Sequence, residues 1–185
     1  MAKYKLVADG IKEIKLEDGT TRYEPNIIGI KDNETNMFIP LDLANRHYQE
    51  YQEWLKHGNE PDPSYTLEEV KRLKKFEIKS AFLQAFNQGY TSPTLGIKVD
   101  CKKEDLLNFK GALELAEATK QEKITIRDYN NEYHTITVDQ LKTLITELIA
   151  YHAQLFQKKW DLEKQVDAAT DFDSVCRIKW EGGDE

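Results

Sequence analysis

The segment from Thr137 to about Ala169 constrains the fold most, because its pattern predicts one long amphipathic helix. It opens with Thr137-Val138-Asp139-Gln140, a capping box in which the threonine and the glutamine satisfy the first backbone donors of a helix. Apolar residues then recur at helical spacing over about 30 residues, or about 45 Å at 1.5 Å per residue. They are Leu141, Leu144, Ile145, Leu148, Tyr151, Leu155, Leu162 and Val166. A helix of this length requires a partner surface along its apolar face.

Three further apolar residues widen that face. A heptad-like stripe alone is typical of a coiled coil, in which a narrow seam faces a second helix. Ile149, Phe156 and Trp160 lie beside the seam, and they favour packing of the helix on its own domain.

The residues from Ser64 onward predict a mainly helical body with a β-hairpin. Thr66-Leu67-Glu68-Glu69 is a second capping box. The predicted elements are a helix ending near Gln88 before Gly89, a short strand at Leu95–Val99, a helix from about Lys102 to Ala118 capped by Asp100, and a hairpin of Ile124–Asp128 and Glu132–Thr137 turning at Asn130-Asn131. The hairpin leads directly into the long helix.

Residues 1–40 predict short strands separated by turns. The strands are Tyr4–Val7, Ile11–Leu16, Ile27–Ile30 and Met37–Ile39, and the turns are Asp9-Gly10, Asp18-Gly19 and Asp32–Thr35. Short strands are marginally stable alone, so we expect this segment to pack on another surface.

Residues 41–63 predict a short aromatic helix followed by a spacer. Tyr48, Tyr51 and Leu55 share one stripe with Trp54 beside it. Asp42 or Asn45 is suited to cap this helix, and Gly58 is suited to end it in the left-handed conformation. A helix of about a dozen residues is marginal by itself, so we expect this face to dock on residues 64–180 or on another protein. The prolines of Asn59–Pro63 favour an extended spacer.

The chain end predicts an extended segment, Val175–Trp180, and a disordered tail, residues 181–185. The fold class expected for the whole chain is α+β. It comprises a β-rich segment (1–40), the aromatic helix with its proline spacer (41–63), an α+β body (64–180) containing three helices, a hairpin and a short third strand, and the tail.

Charge and hydropathy argue against two partners, nucleic acid and membranes. The net charge is −7, and the densest basic run, Lys71–Lys75, begins two residues after Glu69 and three after Glu68. At helical spacing these glutamates face the basic residues, which indicates a solvated helix face rather than a phosphate-binding track. Because the N-terminus has no apolar stretch of signal-peptide length and no apolar run reaches about 18 residues, we expect neither secretion nor membrane spanning.

The sequence indicates no catalytic, cofactor-binding or metal-binding residues. The histidines His47, His57, His134 and His152 lack a local metal-binding spacing, and the cysteines Cys101 and Cys176 lack CxxC spacing and an evident base. Asp167, Asp171 and Asp173 crowd together, but they lack the further oxygens and the glycine of a calcium loop. We therefore interpret them as a solvated helix exit and expect a protein without enzymatic activity.

Two stretches resemble proteins of bacteriophage tails. Gly29–Pro63, GIKDNETNMFIPLDLANRHYQEYQEWLKHGNEPDP, is similar to a segment that recurs in those proteins. Its shared features are a strand ending in Ile39-Pro40, an Asn-x-x-Tyr-x-x-Tyr helix with a Trp-Leu pair, and a Gly-Asn step before the prolines. From about Leu67 to Trp180 the chain resembles an uncharacterised domain that often follows this segment in tail and tail-fibre-associated proteins.

The resemblance implies a structural role in the virion tail and supplies no catalytic residues. Expected partners are other tail or tail-fibre proteins, with self-association as a further possibility because tail assemblies are symmetric. The residues expected to contact them are Tyr48, Tyr51, Trp54, Leu55, Ile178 and Trp180. Some tail-fibre assembly chaperones also end in an acidic-Ile-x-Trp sequence, which leaves a chaperone role as the alternative.

Overall fold

The computed structural model describes residues 2–180 and has an α+β fold, which confirms the predicted class. In chain order the elements are β1 (Tyr4–Lys15), β2 (Thr21–Asp32), β3 (Phe38–Pro40), α1 (Arg46–Lys56), α2 (Leu67–Asn87), β4 (Tyr90–Thr91), β5 (Lys98–Val99), α3 (Lys103–Ala118), β6 (Lys123–Arg127), β7 (Tyr133–Thr137), α4 (Val138–Ala168) and α5 (Phe172–Arg177). None of the helices within residues 2–180 combines the length and the apolar character needed to cross a bilayer.

The chain divides into two compact units. Within the described residues, the first is built from residues 2–74 and 166–178, and the second from residues 75–165 and 179–180. The boundaries therefore fall inside α2 and α4. Whether residues 1–40, 41–63 and 64–180 behave as separate segments stays a prediction, and the predicted disordered tail lies outside the described residues.

The first unit contains an antiparallel sheet of order β1-β2-β3, in which two long strands replace the predicted short ones. The predicted turn at Asp18-Gly19 is present, with Gly19 at a φ of 81°. The predicted turn at Asp9-Gly10 is wrong, because β1 continues through it with register shifts around Ala8. Gly10, at a φ of 78°, lets the strand absorb this irregularity as a bulge instead of reversing direction.

Helix α1 and the proline segment complete this unit. Asn45 caps α1 by accepting hydrogen bonds from the backbone N–H groups of His47 and Tyr48, which selects it over Asp42. Gly58 follows the helix at a φ of 81°, as predicted. The predicted spacer pairs with β1 through its backbone. The Asp62 N–H donates to the Tyr4 carbonyl at 2.8 Å, and the Asp62 carbonyl accepts from the Leu6 N–H at 2.9 Å. This segment is therefore an addition to the sheet edge.

The last element of the first unit corrects the predicted extended end. Residues 172–177 form the helix α5 because Asp171 caps it, accepting from the Ser174 N–H at 2.8 Å. Asp173 accepts from the Tyr23 N–H at 2.8 Å and from Arg177 at 2.9 Å, which ties α5 to β2. These hydrogen bonds, and the ion pair with Arg177, lower the pKa of Asp173. Asp171 and Asp173 thus have specific structural roles, which a solvated helix exit does not describe.

The second unit has a core formed between α4, the β6–β7 hairpin and the β4–β5 pair. Its buried members are Val99, Cys101, Ile126, Ile136, Leu141, Leu144, Ile145 and Leu148. The predicted capping box at the start of α4 is confirmed, since Thr137 and Gln140 exchange side-chain-to-backbone hydrogen bonds of 2.8 and 3.1 Å. The hairpin turns at Asn130-Asn131 as predicted, with Asn131 at a φ of 68°.

Two local predictions for the second unit need correction. The strand predicted at Leu95–Val99 is confined to β5, which pairs with β4, a strand that was not predicted. Asp100 does not cap α3. The N-cap is Lys102, and its backbone N–H donates to the Asp105 carboxylate at 2.9 Å. An acidic residue inside the first turn, rather than Asp100 before it, therefore accepts a backbone hydrogen bond at the start of the helix.

Candidate protein-interaction site

The predicted aromatic face of α1 lies against the N-terminal sheet. The rings of Tyr51 and Tyr4 meet edge to face at 5.2 Å, and Trp54 contacts Tyr4 in the same manner at 5.1 Å. Tyr51 is only 5% exposed, and its burial raises the pKa of its phenol. Tyr48, Trp54 and Leu55 pack around it and stay half-buried. This docking surface is internal to the first unit, and contact of these residues with another protein stays a prediction.

The two predicted residues at the chain end belong to different units. Ile178 is buried in the first unit, where its N–H donates to the Val175 carbonyl at 3.3 Å. Trp180 is half-buried in the second unit, with its ring 6.3 Å from that of Phe82 and the Lys158 ammonium 4.8 Å from its centre. The structure thus groups the four α1 residues and places Trp180 in a separate cluster.

A groove in the second unit is a stronger candidate for contact with a partner. Helices α2 and α4 meet here through aromatic pairs: Phe82 lies 5.0 Å from Phe156, and Phe86 lies 4.8 Å from His152. The start of α3 forms the remaining wall. The resulting cavity, of about 450 Å³, is the α2–α4 groove, and its lining residues are Phe82, Leu83, Phe86, Asn87, Lys102, Lys103, Glu104, His152 and Phe156.

Large apolar side chains remain exposed in and beside this groove. Leu83 is 53% exposed, and Phe76, one heptad earlier on the same face of α2, is 70% exposed. On α4, Phe156 is 41% exposed and contacts Trp160, which is 51% exposed, at a ring distance of 5.8 Å. Such a cluster of exposed apolar groups marks a surface suited to binding.

These exposed residues revise the interpretation of the widened α4 face. Ile149, Phe156 and Trp160 favoured packing of the long helix on its own domain. The helix does pack there, but through its seam, and these three side chains are exposed. The seam residues Leu141, Leu144 and Leu148 are fully buried and already satisfy the core. The sequence therefore did indicate an exposed apolar surface, because α4 has more apolar positions than a single helical seam requires. It did not show which helix lies beside that surface.

Charged groups lie at the α3 wall of the groove. Lys102 and Lys103 are exposed there, together with the carboxylate of Glu104. The floor is tied to this wall by His152, whose Nε2 donates to the Cys101 carbonyl at 2.7 Å. Burial raises the pKa of the Cys101 thiol to about 11, so it is protonated at neutral pH and is a poor nucleophile. The groove is therefore lined by aromatic rings, with charged groups of both signs at one wall.

A separate cluster contains the side chains of Asp128, Glu132 and His134, whose ligand atoms lie within 4.8 Å of one another. The Asp128 carboxylate accepts from the N–H groups of Asn130 and Glu132, each at 2.8 Å, and lies 2.9 Å from His134 Nε2. The hydrogen bond with His134, foremost, lowers the pKa of Asp128. These contacts close the hairpin turn, so the cluster is accounted for by the turn itself.

Comparison with known proteins identifies a family that matches part of the chain. Residues 69–175 match the family model described as a domain of unknown function, DUF4376. The comparisons with curated proteins and with solved structures find no match. The matched range covers more than half of the 185 residues and includes the whole α2–α4 groove. The chain therefore belongs to the DUF4376 family.

Proposed function

We propose that the chain is a non-enzymatic structural component of a bacteriophage tail, located at the tail tip, the baseplate or the fibre attachment. It acts there through contacts with other tail or tail-fibre proteins. The resemblance of Gly29–Pro63 and Leu67–Trp180 to tail proteins points to the setting. The observation that carries the mode of action is the exposed apolar α2–α4 groove.

The groove and its border support protein binding because the apolar side chains exposed there are large and mostly aromatic. Phe76, Phe156 and Trp160 have few rotatable bonds, so they contribute contact area at low conformational entropy cost. They project from helices whose other faces are buried in the second unit, which supports the backbone that carries them. An aromatic surface carried on packed helices is suited to binding a partner without a large backbone rearrangement.

The groups best suited to chemistry in the second unit are already engaged in structural contacts. The Cys101 thiol is buried and protonated, and His152 donates to the Cys101 carbonyl. His134 is hydrogen-bonded to the carboxylate of Asp128, which also closes a turn. These engagements favour a binding role over catalysis.

The test is the protein content of the phage particle. Mass spectrometry of particles purified from the phage that encodes this chain should detect it at a fixed ratio to the other tail proteins. Electron microscopy of particles carrying a tagged chain should place the tag on the tail. Absence of the chain from purified particles would overturn the proposal.

The alternative, a tail-fibre assembly chaperone, predicts a different pair of results. The chain would be needed for soluble, trimeric fibre protein during co-expression. In a chaperone, Val175–Trp180 or the long helix would bind the fibre protein. Burial of Val175, Cys176 and Ile178 within the first unit favours the structural role, because these side chains are already covered.

A further inference from the structure

We propose that the side chains of Asp128, Glu132 and His134 form a binding site for a divalent transition-metal ion of the zinc type. Asp128 directly follows β6, Glu132 directly precedes β7 and His134 lies in β7. Their ligand atoms lie within 4.8 Å of one another. The site is outside the α2–α4 groove, so the proposal stands independently of the proposed function.

The hairpin turn holds the Asp128 carboxylate in a fixed orientation. Its Oδ1 accepts from the N–H groups of Asn130 and Glu132, each at 2.8 Å, and its Oδ2 lies 2.9 Å from His134 Nε2. Hydrogen bonds to one oxygen of a carboxylate orient the other oxygen toward a metal ion. The turn therefore explains why these side chains are together, and it also presents Oδ2 and Nε2 side by side as ligand atoms.

The spacing of these two atoms suits a shared metal ion. With its proton on Nδ1, a neutral imidazole offers the lone pair of Nε2 to a metal. Two ligand atoms at about 2.0–2.1 Å from one zinc ion with tetrahedral angles are about 3.3 Å apart. The observed separation of 2.9 Å between Oδ2 of Asp128 and Nε2 of His134 needs to widen by only about 0.4 Å. A metal ion can therefore replace the proton that this pair shares.

Glu132 supplies the third ligand and the second negative charge. Its side chain is exposed, so it can turn toward the ion from a position within 4.8 Å of the other ligand atoms. Two carboxylates balance the charge of a divalent cation, and a neutral imidazole adds none. Because Glu132 is exposed, water reaches the site and can occupy a fourth position. Three protein ligands with one water is an arrangement that zinc adopts.

The composition of the ligand set decides the class of metal. Imidazole nitrogen suits zinc and its neighbours among the transition metals. Calcium takes about six to eight oxygen ligands, and magnesium requires near-octahedral oxygen coordination and retains several waters. One nitrogen and two carboxylates from a single turn match neither of these requirements. The zinc-type ion would also link three residues of the turn, so its binding should stabilise the second unit.

The experiment is calorimetric titration of the full-length chain, freed of metal by chelation and dialysis, with Zn²⁺ and separately with Mg²⁺ and Ca²⁺. The test variants are Glu132→Gln and His134→Gln. Glu132→Gln retains the backbone N–H that bonds to Asp128, so the turn is preserved while a charged ligand is lost. Far-UV circular dichroism establishes that each variant is folded.

Two variants serve as matched controls. Glu122→Gln makes the same change at another exposed glutamate of the second unit. His47→Gln removes an imidazole that lies 3.2 Å from the Glu50 carboxylate on α1. These controls measure how much zinc binds to glutamates and histidines outside the turn.

The wild type should bind one Zn²⁺ per chain and bind Mg²⁺ and Ca²⁺ at least about tenfold more weakly. Glu132→Gln and His134→Gln should each raise the Kd for Zn²⁺ about tenfold or more, and both controls should leave it within about twofold. X-ray absorption of the zinc complex should show nitrogen and oxygen ligands at about 2.0–2.2 Å and no sulfur at about 2.3 Å. This last result distinguishes the turn from the two cysteines as the binding site.

Four results would overturn the proposal. They are the absence of saturable zinc binding, sulfur ligation of the bound ion, binding of Mg²⁺ or Ca²⁺ as tight as that of Zn²⁺, and wild-type zinc affinity in folded Glu132→Gln or His134→Gln.

Discussion

The ring of Tyr51 meets the ring of Tyr4 edge to face at 5.2 Å with an interplanar angle of 87°. This pair joins α1 to β1 and explains why a helix of only 11 residues carries several aromatic side chains. A helix this short is marginal by propensity, so packing must supply its stability. The aromatic face of α1 is therefore first of all a core element of the N-terminal sheet.

Tyr51→Ala should destabilise the first unit by about 3–5 kcal/mol, because it removes a large buried aromatic side chain and leaves a cavity. Urea unfolding followed by circular dichroism and tryptophan fluorescence measures the effect. Lys56→Ala, which removes only an exposed ion pair with Glu53 on the same helix, should cost less than about 1 kcal/mol. Equal, small effects of both substitutions would show that α1 does not depend on this contact.

Asp173 should make the stability of the first unit depend on pH. Hydrogen bonds from Arg177 and from the Tyr23 N–H lower its pKa in the folded chain. Its contribution is therefore complete above the unfolded aspartate pKa of about 4 and is lost as the pH falls through the lower, folded value. Urea midpoints of Asp173→Asn should lie below those of the wild type at neutral pH, and the difference should shrink in acid. A difference that is constant across this range would contradict the assignment.

Gly89→Ala should destabilise the second unit more than Gly96→Ala does. Both glycines have positive φ, 74° and 66°, so alanine costs about 1 kcal/mol or more at either position. A Cβ at Gly89 would also lie 2.6 Å from the Tyr129 ring and 2.9 Å from the Val99 carbonyl, whereas one at Gly96 meets open space. Overpacking of this kind adds about 1–3 kcal/mol. Thermal unfolding of the two variants compares them directly, and equal melting temperatures would contradict the expectation.

The thiol of Cys101 should resist alkylation in the native chain. It is fully buried, and burial raises its pKa to about 11. Iodoacetamide should modify it slowly at pH 8 and quickly in denaturing urea, when the thiol becomes exposed and its pKa returns to about 8.5. Cys176→Ala isolates the Cys101 signal in mass spectrometry. Rapid modification of the folded chain would place this thiol at the surface.

The sequence predicted most reliably the elements that are specified locally. Both capping boxes, at Thr66–Glu69 and Thr137–Gln140, begin helices as expected, because their hydrogen bonds form between residues three apart. The turn at Asn131 follows from the tolerance of asparagine for positive φ.

The structural features that the sequence did not predict depend on residues distant in the chain. Helix α5 is stabilised by an aspartate that reaches Tyr23, 150 residues away, and no local pattern reveals that contact. The Asp9-Gly10 pair fits both a turn and a bulge, and pairing of β1 with β2 decides between them. The α2–α4 groove was missed for the same reason, since the neighbour of Phe156 is Phe82 on another helix.

The central claim, that the α2–α4 groove binds a tail protein, is tested most directly by photocrosslinking inside assembling particles. A photoreactive phenylalanine derivative is placed at position 83, in the groove, and separately at position 133, an exposed site outside the groove. We predict that position 83 crosslinks to one tail protein and that position 133 does not. Equal crosslinking from both positions, or none from position 83 in particles that contain the chain, would contradict the claim.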